Sequence, residues 1–280
     1  MDSIRFGPAG YPEEAKGNVK RVFEILKEAE LNALEYAAVY GLRVSEKKAH
    51  EIGRLARKYG IAMSMHAAYY ISLVSKDLAV RKRSRERLVK ALRFAPLMEV
   101  KRIVFHSGGY SGHSPQEAYA AVRDALIDVW ETAGRESGDA ILMPEIAGKI
   151  RAFGSVEELI SLSQEVDHVL PTIDWAHLYA RSQGKICDRP QFLQVLEAFE
   201  KALGKEFTDN MHFHVSGITF TERGEKEHRP LGGRWGPDIL PLMDIVREIG
   251  YKPTFISETP PPLTGALYAK FLLHELERIK

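Results

Sequence analysis

Three imidazoles and three carboxylates close six successive apolar runs of this chain. They are His66 in AMSMHAAYY, His106 in RIVFHSGG, Glu145 in ILMPEIAG, Asp174 in VLPTIDWAH, His214 in MHFHVSG and Glu258 in TFISETP. Imidazole nitrogen and carboxylate oxygen without thiolate form a donor set for Zn2+, with Mn2+ and Fe2+ as alternatives. Open coordination positions on such a cluster activate water, and two adjacent ions point to hydrolysis of a phosphate ester. Taken singly, each histidine reads as a surface or hydrogen-bonded core residue, as His50, His113, His168 and His274 do here. Each glutamate taken singly reads as an ion-pair partner inside the fold. The shared position, one donor at each of six strand ends, selects the metal reading.

For these donors to meet, the runs must be parallel strands of a closed barrel. Apolar periodicity gives eight strand candidates, 4–9, 33–40, 61–67, 102–107, 140–146, 169–174, 211–217 and 253–258, alternating with segments of helical spacing. VKRVFEILKEAE puts Val19, Val22, Phe23, Ile25 and Leu26 on one face. Ser155, three residues before Glu158, makes a capping-box pattern; Ser114 followed by Pro115 starts a helix; Gly60 and Gly250 fall where a glycine ends one. GPDILPLMDIVREIGY and ALYAKFLLHELERIK complete the series. Eight such units without a break in composition predict a (β/α)8 TIM barrel, one domain over residues 1–280, with its strand C-termini at one mouth. A doubly wound open sheet would leave some donors on opposite sides of its switch point.

Alternation puts His212 and His214 on one face, with His214 nearer the mouth as the ligand and His212 as a packed or supporting residue. His177, three residues after Asp174, is expected in the following loop. HSGGYSGH after the fourth strand lacks the spacing of a dinucleotide fingerprint and reads as a turn, with amides facing a phosphate as the functional alternative.

Composition narrows the class. The apolar fraction of 45% allows a full core, and neither a signal layout nor an uncharged apolar run of membrane length is present in the sequence. One cysteine, Cys187, excludes an internal disulfide and fits a reducing cytoplasm. Three asparagines and five glutamines beside 28% charged residues suggest a heat-adapted source. The formal net charge of +1 leaves a nucleic-acid partner open, because the placement of cations decides it.

Taken in order, HAAYYISL, FHSGG, PEIAG, DWAH, MHFHVSG followed by EHRPLGG, and SETP resemble the signature blocks of the endonuclease IV family over nearly the whole chain. That resemblance implies a TIM-barrel apurinic/apyrimidinic endonuclease of DNA base excision repair, acting as a monomer on double-stranded DNA with abasic sites. It implies two or three Zn2+ ions that promote hydrolysis of the phosphodiester 5′ to the lesion. One would lie on His66, His106 and Glu145, a second on Glu145, Asp174, His214 and Glu258, and a third on His177 and His228. Glu145 and Glu258 fall where the nucleophile is held and oriented. Tyr69, Tyr70 and Arg43 fall among loop side chains that enter the DNA, although a pair of tyrosines capping the barrel rim would read the same way. The chain departs from the family pattern at several points. The aspartate two residues before the third ion's histidine is replaced by Lys226, so Glu225, Glu227 or the lysine cation itself takes that place. Ile146 replaces an asparagine, Val215 and Ser216 replace an Asn-Asp pair, and Glu35 stands where the family has glutamine.

Two further functions fit parts of the pattern. A sugar isomerase or epimerase with one Mn2+ needs only Glu145, Asp174, His214 and Glu258, two of them transferring protons. A non-catalytic DNA-binding relative needs none of the chemistry. The cations Lys149, Arg151, Arg181, Lys185, Arg223, Arg229 and Arg234, all in segments after strands, suit a phosphate backbone or a solvated rim.

Overall fold

The computed structural model describes residues 3–278. Ile279 and Lys280, at the end of the expected closing helix, and Met1 and Asp2 lie outside the described residues. The strands are β1 (Arg5–Pro8), β2 (Ala33–Ala37), β3 (Ala62–His66), β4 (Val100–Phe105), β5 (Ile141–Pro144), β6 (Ile173–Asp174), β7 (His212–Val215), β8 (Gly217–Thr221), β9 (Gly224–Arg229) and β10 (Thr254–Ser257). Helices α1 (Val19–Glu28), α2 (Glu46–Tyr59), α3 (Leu78–Phe94), α4 (Pro115–Ala133), α5 (Val156–Glu165), α6 (Trp175–Arg181), α7 (Arg189–Asn210), α8 (Leu240–Ile249) and α9 (Pro262–Arg278) connect them. Parallel pairing runs β2-β3-β4-β5 and β1-β10-β7-β6. Parallel bridges Ala9 to Glu35 and Glu145 to Thr172 join the two sets. The result is a closed eight-stranded (β/α)8 barrel.

Alternation along each strand sorts side chains between the helix-facing wall and the barrel interior. Met63, Met65, Ile103, Phe105, Leu142, Phe213 and Phe255 join the main apolar core beneath the helices. The residues between them, Ser64, Arg102, Val104, Met143 and His212, therefore face inward. Val104, Met143 and Leu170 form a separate apolar cluster. Glu35, Ser64 and His212 are equally buried but polar. Helix α1 seats the five apolar residues its spacing predicts, each worth about 1.5–3 kcal/mol when fully buried. Ser114 and Ser155 both make complete capping boxes, and Gly60 and Gly250 end their helices in the left-handed region.

Three segments differ from the sequence reading. The sixth strand shrinks to Ile173–Asp174, because Pro171 within 169–174 has no N–H to give a ladder. His177 lies on α6, not in a loop: Asp174 caps that helix, its Oδ1 accepting from the His177 N–H at 2.7 Å. The run 211–217 breaks after Val215, and the chain turns out of the barrel into β8 and β9, an antiparallel hairpin that apolar periodicity does not reveal.

Candidate metal centre

All six strand-end donors reach the mouth. Glu145, just past β5, lies at the centre and faces both ways. Its Oε2 is 3.3 Å from His66 Nε2 and 3.3 Å from His106 Nε2, while its Oε1 is 2.9 Å from His214 Nδ1. Asp174 Oδ2 lies 3.4 Å from His177 Nδ1. Glu258 spans the rim, with Oε1 3.6 Å from His214 Nδ1 and Oε2 3.8 Å from His228 Nε2. Ligand atoms of His66, His106 and Glu145 lie within 4.8 Å of one another, as do those of Glu145, Asp174, His214 and Glu258.

A third group, His177, Glu225 and His228, adjoins these two. Its carboxylate is Glu225, and the hairpin explains the choice. Thr219 pairs with Glu227 and Phe220 with Glu225, so Lys226 has no opposite residue and forms a β-bulge. In an unbroken strand Glu225 and His228, three apart, would face opposite sides; the extra residue brings them to one side. Lys226 and Glu227 face solvent, whereas Glu225 and His228 are half-buried. The hairpin is docked by the Glu225 N–H donating to Gly148 O at 3.0 Å and an antiparallel bridge from Lys149 to Gly224. Gly148 permits that approach, since a Cβ there would stand 2.7 Å from Glu225 Cβ and 2.8 Å from His177 Cδ2.

Second interactions fix which nitrogen each imidazole turns to the mouth. His66 Nδ1 donates to Ala67 O at 2.8 Å and His177 Nδ1 to Ile146 O at 3.0 Å. The Ser216 hydroxyl donates to Gly217 O, so its oxygen accepts from His228 Nδ1 at 2.6 Å. Each leaves Nε2 facing the cluster. His177 Nε2, 3.5 Å from Glu225 Oε2, is buried and has no hydrogen-bond partner, as is Asp174 Oδ2. Buried polar atoms without partners are costly, and a divalent cation among these donors would satisfy them. The residues present therefore fit metal ions.

The electrostatics carry the same demand for positive charge. Burial raises Glu145, but the charges of His106 and His214 and hydrogen bonds from His214 and His66 hold it well below the usual carboxylate range. Burial opposes a proton on His66, yet Glu145 lifts it to about 9; His177 reaches about 9 against burial through Asp174 and Glu145. His214, between Glu35 and Glu145, is likewise held well above its usual value against burial. Burial dominates at His106, which falls to about 4, and at Asp174, which rises to about 6. The carboxylates draw protons onto three imidazoles, the same charge that a cation would supply.

The remaining predicted residues lie around this mouth. The Tyr69 ring is 5.6 Å from that of His66 and 58% exposed. Tyr70 is half-exposed under the Arg87 guanidinium at 4.3 Å, and Arg43 is exposed on the neighbouring loop. Arg181 donates to the carbonyls of Ala147, Lys149 and Ala152, so it braces that loop and is not a free rim cation. Arg229 and Arg234 stack on Trp235. Cys187 is exposed, and His168 stacks on Trp130 at 4.1 Å. The sequence reading gives His212 as a packed or supporting residue, and misses that Glu35 is its partner. Both are fully buried, and His212 Nε2 is 3.0 Å from Glu35 Oε2. Strand alternation fixes their inward face but not that they meet across the barrel. No helix among the described residues is long and apolar enough to cross a membrane.

Known proteins share this architecture. An uncharacterized protein of Methanocaldococcus jannaschii is 34% identical over 257 residues, 91% of each chain. A probable endonuclease 4 of Solibacter usitatus is 29% identical over 206 residues, 70% of this chain and 69% of its own length. Endonuclease IV from Thermus thermophilus superposes with a TM-score of 0.77 at 20% identity, over 99% of this chain and 100% of that one. D-psicose 3-epimerase from Clostridium cellulolyticum does so with a TM-score of 0.68 at 15% identity, over 97% and 99%. At such identities the two structures speak for the fold. The resemblance to endonuclease IV in the motif blocks agrees with the relatives found by sequence, and the matching family profile spans residues 23–272: the chain belongs to the xylose isomerase-like TIM barrel family.

Proposed function

We propose that this protein is a metal-dependent endonuclease that hydrolyses double-stranded DNA on the 5′ side of an abasic site. One observation carries the reading: the mouth gathers three adjoining donor groups, where a single-metal epimerase needs one. His66, His106, His177, Glu225 and His228 would have no task at a one-ion site. In this reading His66, His106 and Glu145 hold one zinc ion, Glu145, Asp174, His214 and Glu258 a second, and His177, Glu225 and His228 a third. The ions would supply positive charge to the oxygens of the scissile phosphate and lower the pKa of water between them.

The chain's own residues do the rest. Glu145, with both oxygens engaged, fixes the spacing of the first two groups. Glu258 sits across the rim between His214 and His228, where its Oε2 can orient an attacking water and take its proton. Tyr69, Tyr70 and Arg43 enter the DNA at the lesion. Tyr69 lines a cleft beside His106, Gly148 and Glu225, as such a role requires. Helix α3 supports a polyanionic partner: it carries seven basic residues against Glu86 alone, in a chain of net charge +1. We take the molecule to work as a single-domain monomer in the cytoplasm.

The epimerase reading retains one argument, the four-donor group with carboxylates of opposed character, and it separates readily. The zinc-loaded protein is incubated with a duplex carrying one abasic site. A single cut 5′ to the lesion supports the nuclease. An intact duplex, with epimerisation of a ketose by the Mn2+-loaded protein, would replace it.

A further inference from the structure

Inside the barrel, beneath the donors just described, lies an ionisable pair that the hydrolysis does not use. Glu35 on β2 and His212 on β7 are both fully buried. Glu35 Oε2 accepts from the Ser64 hydroxyl at 2.8 Å and from His212 Nε2 at 3.0 Å. Its other oxygen, Oε1, stands 3.0 Å from His214 Nε2. Those two atoms are out of line for a full hydrogen bond, and neither has another partner. Across the ring, His214 Nδ1 is held by Glu145 Oε1 at 2.9 Å. Imidazole and carboxylate thus alternate from floor to mouth: His212, Glu35, His214, Glu145.

A buried carboxylate among the apolar side chains of a barrel is retained only with donors to compensate it. Glu35 has two, Ser64 and His212, and its remaining oxygen faces His214, the imidazole at the central ion group. The off-site nitrogens of His66, His177 and His228 hydrogen-bond a carbonyl, a carbonyl and a hydroxyl, with Asp174 Oδ2 also 3.4 Å from that of His177. His214 alone of these four turns that nitrogen to a carboxylate outside the three donor groups, Glu35. A carboxylate behind an imidazole orients the ring and makes its opposite nitrogen a stronger ligand. We propose that Glu35 is a positioning residue for His214, keeping Nδ1 turned to the Glu145–Asp174–Glu258 carboxylates, and that His212 and Ser64 in turn hold Glu35.

This rests on the metal centre proposed above, and its test reads metal binding, not incision. Metal-free wild type, Glu35→Gln and His212→Gln are titrated with Co2+, following the visible absorption bands and the heat of binding. The wild type is expected to take three equivalents. In Glu35→Gln the ion held by His214 should bind about 10- to 100-fold more weakly, with altered absorption bands, while the other two keep their affinities. His212→Gln should shift the same ion in the same direction by less, and it reports on the relay should Glu35→Gln fail to fold. Wild-type affinity and spectrum in both variants, even with lowered melting temperatures, would overturn the proposal, since a merely structural pair would behave so. A fourth equivalent that either variant loses would also overturn it, because Glu35 and His212 would then be ligands. A wild type that takes up no cobalt would overturn both this and the metal centre, whereas full cobalt binding without incision removes only the nuclease.

Discussion

His66, Glu145 and His214 stand on or directly after barrel strands that pair on both sides, over a floor packed with buried side chains. Glu225 and His228 stand on a two-stranded ribbon that leaves the barrel and returns to dock on the loop at Gly148. The first setting leaves no freedom, since a one-residue slip in a barrel strand would carry every donor to the opposite face. The second tolerates an extra residue, and the bulge at Lys226 uses that tolerance to turn Glu225 toward His177 and His228. A barrel strand thus fixes which side chains reach the mouth by its alternation, while in the ribbon the pairing register decides it.

The largest expected effect tests the rigid half. Glu145→Gln removes the carboxylate shared by two groups and should lower the rate of abasic-site cleavage by at least ~10²–10³-fold, the cost of a lost transition-state contact. Circular dichroism should remain that of the wild type; retained turnover would make Glu145 structural only.

The ribbon is tested next. Deleting Lys226 removes the bulge but leaves Glu225 and His228 two apart in a regular strand, still on one face, so the third ion and activity should be retained. Lys226→Ala keeps the residue count and should leave activity unchanged. Glu225→Gln should lose the third ion and lower activity about 10–100-fold, whereas Glu227→Gln should match the wild type. Equal losses from Glu225→Gln and Glu227→Gln would show that the bulge does not select the ligand.

These contrasts follow what the sequence makes legible. Donors at strand ends announce themselves because period-2 apolar runs mark both the strand and its end, and the caps at Ser114, Ser155, Gly60 and Gly250 are local signals with local causes. The hairpin is different: GITFTERGEKEHR is too polar for apolar alternation to report a strand, and its bulge exists only through pairing with β8. The meeting of Glu35 with His212 depends on closure of the barrel between strands far apart in sequence, which no local pattern encodes. His177 escapes a helical reading because its helix is only seven residues long and is capped by Asp174, which also ends the preceding strand.

Smaller effects sharpen the picture at the rim and in the ion-free state. Tyr69→Ala should raise KM for abasic duplex with little change in kcat, by roughly 5- to 150-fold, since one stacked base is worth about 1–3 kcal/mol. An unchanged KM would return Tyr69 to the rim. In ion-free protein, His66 and His177 are raised from 6.5 to about 9. Between these values the folded chain binds more protons than the unfolded one, so stability is fully present below about pH 6.5 and is lost as pH rises through 9. Thermal melting after chelation should therefore fall from pH 6.5 to 9, and zinc-loaded protein should not show that decline. A flat profile in the chelated protein would mean that the carboxylates do not hold those protons.

Elemental analysis of zinc bound per chain, on wild type and Glu225→Gln after dialysis against a weak chelator, tests the two-part centre most directly. Three equivalents in the wild type and two in the variant are predicted. One equivalent in the wild type, or three in both, would contradict it.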